Sequence, residues 1–250
     1  MSFSKNNKKN ICFLIGSFQA GGAEDHVLQI LMNLDYQKYN AYVSVFSCDG
    51  KLFNKFKKLK IPIFVIDNRE IRIRKKLFKY LKLFKYIKFL KNNKIEIIHI
   101  HLVGCYIFGI ISSYLAGVQK KVITWHNIYD HSVKQWGSIN QFLRNYIFYL
   151  KVKITSLLAN NIIAVSNSVK NKNIVFYKIN FQKVVTVHNG IKATGLYKKD
   201  NYYINDFENE YFNIIAVGSL QYQKGYIIML KAMKEIIKKY PFVHLNIMGE

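Results

Sequence analysis

Residues 11–34 read ICFLIGSFQAGGAEDHVLQILMNL, and this stretch decides the fold. The apolar run Ile11–Ile15 has the length and composition of a parallel strand buried on both faces. A loop with Gly16, Gly21 and Gly22 follows it. Val27, Leu28, Ile30, Leu31 and Leu34 then recur at helical spacing, so a helix is expected to start near Ala23. A strand, a glycine-rich turn and a helix N-terminus make a natural anion site, because the first-turn amides point at whatever lies above the glycines. The spacing is not G-x-G-x-x-G, and no acidic residue stands where a dinucleotide fold places its ribose ligand. A plain tight turn in an α/β domain accounts for these residues as well as a phosphate cradle does.

The rest of the chain repeats the strand–helix alternation. Ala41–Ser47 reads as a strand and Cys48-Asp49-Gly50 as a turn. A short basic helix over Lys51–Lys60 and a strand over Ile61–Ile66 follow. Further on come a strand over Ile95–Ile100, a helix over Cys105–Leu115 and a strand over Lys121–Trp125. Next are an apolar helix over Phe142–Leu158, a strand over Ile162–Val165, and Ser166 as N-cap of a short helix. Val184–Val187 is a strand closed by His188-Asn189-Gly190. This order predicts a doubly wound parallel, Rossmann-like sheet over residues 1–191, with helices on both faces. Residues 192–210 lose the apolar rhythm and read as a linker. Residues 211–250 restart as strand, loop, helix and strand, the beginning of a second Rossmann-like unit.

With 38 Lys+Arg against 14 Asp+Glu in 250 residues, the chain carries +24. Residues 51–100 hold 16 of those cations against 3 acids, so over half of the excess sits in one fifth of the chain. Such charge calls for a polyanionic partner: nucleic acid, an anionic membrane or phosphorylated substrates. A general Lys, Asn, Ile and Tyr bias also contributes to it. Cys12, Cys48 and Cys105 are distant from one another in apolar surroundings and read as free thiols of a reducing compartment. The polar MSFSKNNKKN start, with only a short apolar run after it, argues against a signal peptide. Ile97–Gln119 has no Lys, Arg, Asp or Glu, yet its histidines and glycines fit a buried strand and helix better than a membrane span.

Within Ile73–Leu90 and just beyond it, Lys76, Lys79, Lys82, Lys85, Lys88 and Lys91 recur every third residue. A helix turns every 3.6 residues, so these lysines spiral around it and mark no single face. One reading packs the helix by Leu77, Leu81 and Phe84. The other lays it on anionic lipid with Phe78, Tyr86 and Phe89 as interfacial aromatics.

His99, His101 and His126 fall at C-terminal strand ends, the edge at which open parallel sheets bind ligands. A metal held by His99 and His101 is disfavoured on the expectation that strand alternation separates the two rings. No third ligand stands at metal-site spacing either.

In order, Gly21-Gly22-Ala23-Glu24, Ile97-Ile98-His99-Ile100-His101 and Thr124-Trp125-His126-Asn127 make a series. Ala164-Val165-Ser166-Asn167-Ser168, Val187-His188-Asn189-Gly190-Ile191 and Val217-Gly218-Ser219-Leu220 with Lys224-Gly225 continue it. Together these resemble the retaining glycosyltransferases of family 4, which have the two-domain GT-B fold. The resemblance implies transfer of a sugar from a nucleotide diphosphate-sugar to an acceptor hydroxyl, with no metal and no cofactor. The implied acceptor is a saccharide or lipid-linked saccharide at the cytoplasmic face of a membrane, with nucleic acid not expected as a partner. It implies His126 as the catalytic-site histidine. Gly21, Gly22, Glu24, His101, Asn189, Gly190, Ser219 and Lys224 are the implied substrate contacts, with Lys224 on the donor phosphates. Ser219 stands where the family often has Arg, and the family's later glutamate pair is absent. These 250 residues are therefore expected to hold the acceptor-side domain, to break off early in the donor domain, and to transfer little alone. The alternative is a non-catalytic basic protein adsorbing to membrane or nucleic acid.

Overall fold

A computed structural model describes residues 8–67, 75–128, 139–190, 212–220 and 224–249 of the chain. The chain divides into two compact units, Met1–Lys192 and Ala193–Glu250. The linker reading of 192–210 falls on residues outside those described.

The first unit is built on a parallel sheet of seven strands: β1 (Lys9–Ile15), β2 (Tyr39–Val45), β3 (Ile63–Val65), β4 (Ile97–His101), β5 (Lys120–Trp125), β6 (Asn161–Ala164) and β7 (Val184–Thr186). Their spatial order is β3-β2-β1-β4-β5-β6-β7. The order reverses between β1 and β4, and a crevice opens at the C-terminal edge of such a switch point. Because strand side chains alternate, β1 feeds two cores. Phe13 and Ile15 pack with α1 (Gly22–Met32) and α2 (Phe53–Lys58) on one face. Cys12 and Leu14 join the larger cluster on the other. That second face is covered by α3 (Lys75–Asn92), α4 (Val103–Ala116), α5 (Ile139–Leu158) and α6 (Asn167–Tyr177).

The doubly wound sheet expected from the sequence is therefore present, with element ends moved by a few residues. β2 starts earlier than its apolar run because Tyr39 pairs with Lys9. Ser166 caps α6, its hydroxyl accepting from the Val169 amide at 3.1 Å. Ile97–Gln119 forms β4 and α4, and no described helix is long and apolar enough to cross a membrane.

α3 corrects the packing and interfacial residues named in both readings of the lysine repeat. Tyr86 and Leu90 are fully buried, and Phe89 stacks on Phe64 with ring centroids 4.3 Å apart. Phe84 faces solvent, and Lys82 pairs with Asp67 at 2.7 Å. Tyr86 and Phe89 are thus core residues rather than interfacial aromatics, and Phe84 packs nothing inside. Leu77 and Phe78 lie outside the described side chains.

In the second unit β8 (Phe212–Val217) pairs in parallel with β9 (Val243–Met248), joined through α7 (Tyr226–Lys239).

The loop after β1 is tied to the loop after β2. Phe18 donates its amide to the Asp49 carbonyl at 3.0 Å, and Leu52 donates to the Phe18 carbonyl at 2.9 Å. Gly50 makes this approach possible: its φ is +142°, and a Cβ there would land on the Phe18 backbone. Gly50→Ala is expected to destabilise the fold by about 2–3 kcal/mol through strain and clash. The midpoint of urea unfolding measures this, and an unchanged midpoint would show that the two loops are not locked together.

Candidate functional site

The site is assembled at the C-terminal edge of β1, β4 and β5. α1 opens there at Gly22, with Gly21 as its N-cap and no side chain capping from that position. Glu24, buried to 8 % exposure, folds its carboxylate back toward its own amide and against Gly21. The anion at this helix N-terminus is therefore the chain's own carboxylate, which modifies the phosphate-cradle expectation for Gly21 and Gly22. Burial raises the Glu24 carboxyl above its ordinary value. The Glu24 charge also reaches the Cys105 thiol at the start of α4, which burial and that charge push up to about 12.

Four imidazoles gather beside this turn. His99 and His101 come from β4, His126 follows β5, and His26 descends from α1. The expectation that His99 and His101 diverge fails, because residues two apart on a strand share a face. Their rings lie 4.2 Å apart. His101 Nδ1 and His126 Nε2 are 3.0 Å apart and share one hydrogen bond. His99 Nε2 bonds the Thr124 hydroxyl at 2.7 Å. The His26 ring sits 5.7 Å from that of His126 and 6.0 Å from that of His101. His26 Nδ1 and His101 Nε2 are buried without a hydrogen-bond partner among the described residues. His126 alone of the linked pair is partly exposed, so its Nδ1 is the nitrogen left for a ligand.

Every member of this cluster is held neutral. Burial lowers His99 to about 3 and His126 to about 4, and neighbouring histidines push the same way. His101 lies well below its ordinary value, again chiefly through burial. Burial lowers His26 too, against the pull of Asp25. Just past His101, Leu102 adopts φ +68° and ψ 136°, a conformation side chains avoid. This strain sits between the histidine pair and the first turn of α4.

The other predicted residues are placed as follows. Asn189 and Gly190 follow β7, and Gly190 lines a cavity of about 620 Å³ together with His188, Val187, Ile163, His99 and His26. Ser219 and Lys224 lie in the second unit, in the loop after β8. There Gly218 has φ +157°, its carbonyl accepts the Tyr226 hydroxyl at 2.8 Å, and the Lys224 stem runs beside it. His26 and Thr124 were missed as site residues. His26 had a signal: it lies three residues after Ala23, within the inward stripe of α1, where a polar residue needs a reason. Among the described residues no group of three or more His, Cys, Asp and Glu is arranged to hold a metal.

Residues 20–194 match the sequence profile of Glycosyltransferase Family 4. A relative is the capsular polysaccharide biosynthesis glycosyltransferase CapH of Staphylococcus aureus, 26 % identical over 232 residues. Those residues are 92 % of this chain and 58 % of CapH. The chain thus spans little more than half of that relative's length. Among solved structures, HepE of Anabaena in complex with UDP and glucose aligns with a TM-score of 0.69 at 19 % identity. That alignment covers 95 % of this chain and 60 % of HepE. Sucrose-phosphate synthase of Thermosynechococcus elongatus aligns with a TM-score of 0.64 at 15 % identity, over 97 % of this chain and 62 % of the other. At these identities the two structures speak for the fold.

The neutral histidines set an acid limit on stability. A folded-state pKa below the unfolded value gives stability that is complete above about pH 6.5 and lost as the pH falls toward the folded value. Each such histidine contributes a slope of about 1.4 kcal/mol per pH unit through that window. Glu24, raised rather than lowered, works in the opposite sense and offsets part of the loss. His99→Gln is therefore expected to be less acid-sensitive than the parent between pH 6.5 and about 4. Urea unfolding at several pH values checks this, and parallel curves for the two proteins would mean that His99 is not held neutral.

Proposed function

The chain belongs to glycosyltransferase family 4, and from that premise we propose that it forms part of a retaining transferase of nucleotide diphosphate-sugars. The observation that carries the reading is the His101–His126 pair beside the Gly21–Gly22–Glu24 turn, at the switch point of a doubly wound sheet. A departing diphosphate and an electron-poor sugar carbon need fixed polar groups in a site that excludes water. His126 offers one imidazole nitrogen outward while the other is anchored by His101, so the ring is oriented before any ligand arrives. Its neutrality suits it to hydrogen-bond a sugar or acceptor hydroxyl without adding positive charge near an oxocarbenium-like carbon. Lys224, whose mobile ammonium suits phosphate, contacts the donor diphosphate in this reading. Ser219 adds a hydroxyl, and the chemistry proceeds without a metal.

The donor class draws support from HepE, whose structure holds UDP and glucose. The acceptor class draws support from CapH, a capsular polysaccharide enzyme. The proposed acceptor is therefore a growing, lipid-linked saccharide at the cytoplasmic face of a membrane, with the anionic lipid surface as partner.

The test offers a panel of radiolabelled nucleotide-sugars and a membrane lipid extract to the purified chain, and to a chimera carrying the CapH sequence beyond the matched segment. Transfer is expected from the chimera, weakly if at all from residues 1–250, and undiminished by a metal chelator. His126→Ala and Lys224→Ala are each expected to lower it by about 100-fold or more. Transfer indifferent to both substitutions would remove the proposed roles, and a silent chimera would remove the transferase reading.

A further inference from the structure

α5 is apolar on its outer side as well as its inner one. Its inner side carries Val152, Thr155 and Ser156, essentially buried, with Phe148 and Tyr149 packed beside them against the core. Thr155 returns its hydroxyl to the Lys151 carbonyl at 2.7 Å, and Ser156 Oγ has no hydrogen-bond partner among the described residues. The solvent side carries Leu143, Ile147, Ile154 and Leu158, exposed by 52, 43, 46 and 41 %. At about 100° per residue these four fall within an arc of roughly 60°. Arg144 and Lys151 flank the stripe on one side and Lys153 on the other. A helix whose outer side faces only water carries polar residues there instead.

The stripe continues on the neighbouring helices, since α4 packs against both α3 and α5. The Tyr114 hydroxyl of α4 donates to the Leu158 carbonyl at 3.3 Å, joining the two exposed faces. On α3, Tyr80 and Phe84 point outward next to Lys85 and Lys88. α3 holds seven lysines, α5 holds three cations, and none of the three helices has an Asp or Glu.

We propose that this outer face, centred on α5, lies in the headgroup–acyl boundary of an anionic lipid bilayer. An apolar stripe bordered by cations is the pattern of a helix lying in the plane of that boundary. A second copy of the chain would set the exposed cations of this face, Lys85, Lys88, Arg144 and Lys151 among them, against their own kind, which repel. A nucleic acid would satisfy the cations and leave the leucines and isoleucines in water. Helices of parallel α/β connections run back against their strands, so α3, α4 and α5 begin at the edge that carries His101 and His126. A bilayer along this face thus brings lipid headgroups beside the candidate site. The proposal sharpens the lipid-linked acceptor reading and rests on it for its purpose.

The experiment sediments the 250-residue chain with vesicles of phosphatidylcholine alone or mixed with phosphatidylglycerol. Binding is expected to the mixed vesicles and to fall by about tenfold per residue in Ile147→Ser and Ile154→Ser. Arg144→Glu with Lys151→Glu is expected to lower it by about tenfold or more, and high salt to weaken it. These side chains are exposed, and unchanged circular dichroism and melting temperature verify that the variants fold. An environment-sensitive dye at Leu143→Cys, in a Cys48→Ser background, is expected to shift to the blue with anionic vesicles. The same dye at Lys57→Cys on α2 is expected not to shift. Vesicle binding that ignores the isoleucine substitutions overturns the proposal. So does an oligomer that the same substitutions dissociate, or capture by duplex DNA that vesicles do not compete. Sugar transfer to a soluble acceptor without vesicle binding removes the membrane surface and leaves the transferase reading intact. Vesicle binding without any transfer by the chimera does the reverse.

Discussion

β1 is paired with β2 on one edge and β4 on the other, and its side chains fill both cores. A parallel strand in that position must be apolar on both faces, and Cys12–Ile15 meets the demand without one polar side chain. The chain leaves β1 toward β2 and β3, and must return to β1's free edge to place β4. That return creates the switch point, and with it the crevice where α1 and α4 both begin. The Phe18–Asp49 and Leu52–Phe18 hydrogen bonds then hold the turn above it in one shape. The position of the candidate site is thus a result of strand order before it is a result of any catalytic residue.

What fills the crevice is unusual for a basic chain. With 38 Lys+Arg available, the edge of β4 and β5 is lined by neutral imidazoles. Burial of a cation there would have to be offset by an anion. Glu24 is turned toward its own amide instead, so the cluster settles its charge by losing protons. The positive charge is displaced outward, to α3 and α5, where water or an anionic surface can solvate it.

Much of this could be read from the residues. The strand expected over Lys121–Trp125 differs from β5 by one residue, and the sheet follows from apolar runs separated by helix-length segments. The candidate histidines were legible because they end strands. What failed was orientation. The lysine repeat of α3 has a period of three, which no face of a helix preserves, so the buried side was fixed by where Phe64 and Phe108 wait for Tyr86. His99 and His101 were separated in expectation although a two-residue spacing keeps them together. His26 was passed over because one polar residue in an apolar stripe gives no sign of its partner until β4 and β5 are in place. The exposed stripe of α5 is hidden for the same reason: apolar residues surround the helix, and only the sheet decides which side is inward.

The hydrogen bond between His101 and His126 carries one further meaning. Two neutral rings joined nitrogen to nitrogen have two arrangements, and each puts a proton on only one of the two outer nitrogens. If His126 donates, its outward Nδ1 is a bare lone pair and His101 must keep an N–H at its buried Nε2. If His101 donates, Nε2 is bare and His126 turns an N–H outward. A buried N–H without an acceptor is rarer than a bare acceptor, so an Nε2 without a partner among the described residues favours the second arrangement. A buried nitrogen behind His101 thereby favours the polarity of the atom that His126 turns outward: a donor, which in the proposed site suits oxygen-rich ligands.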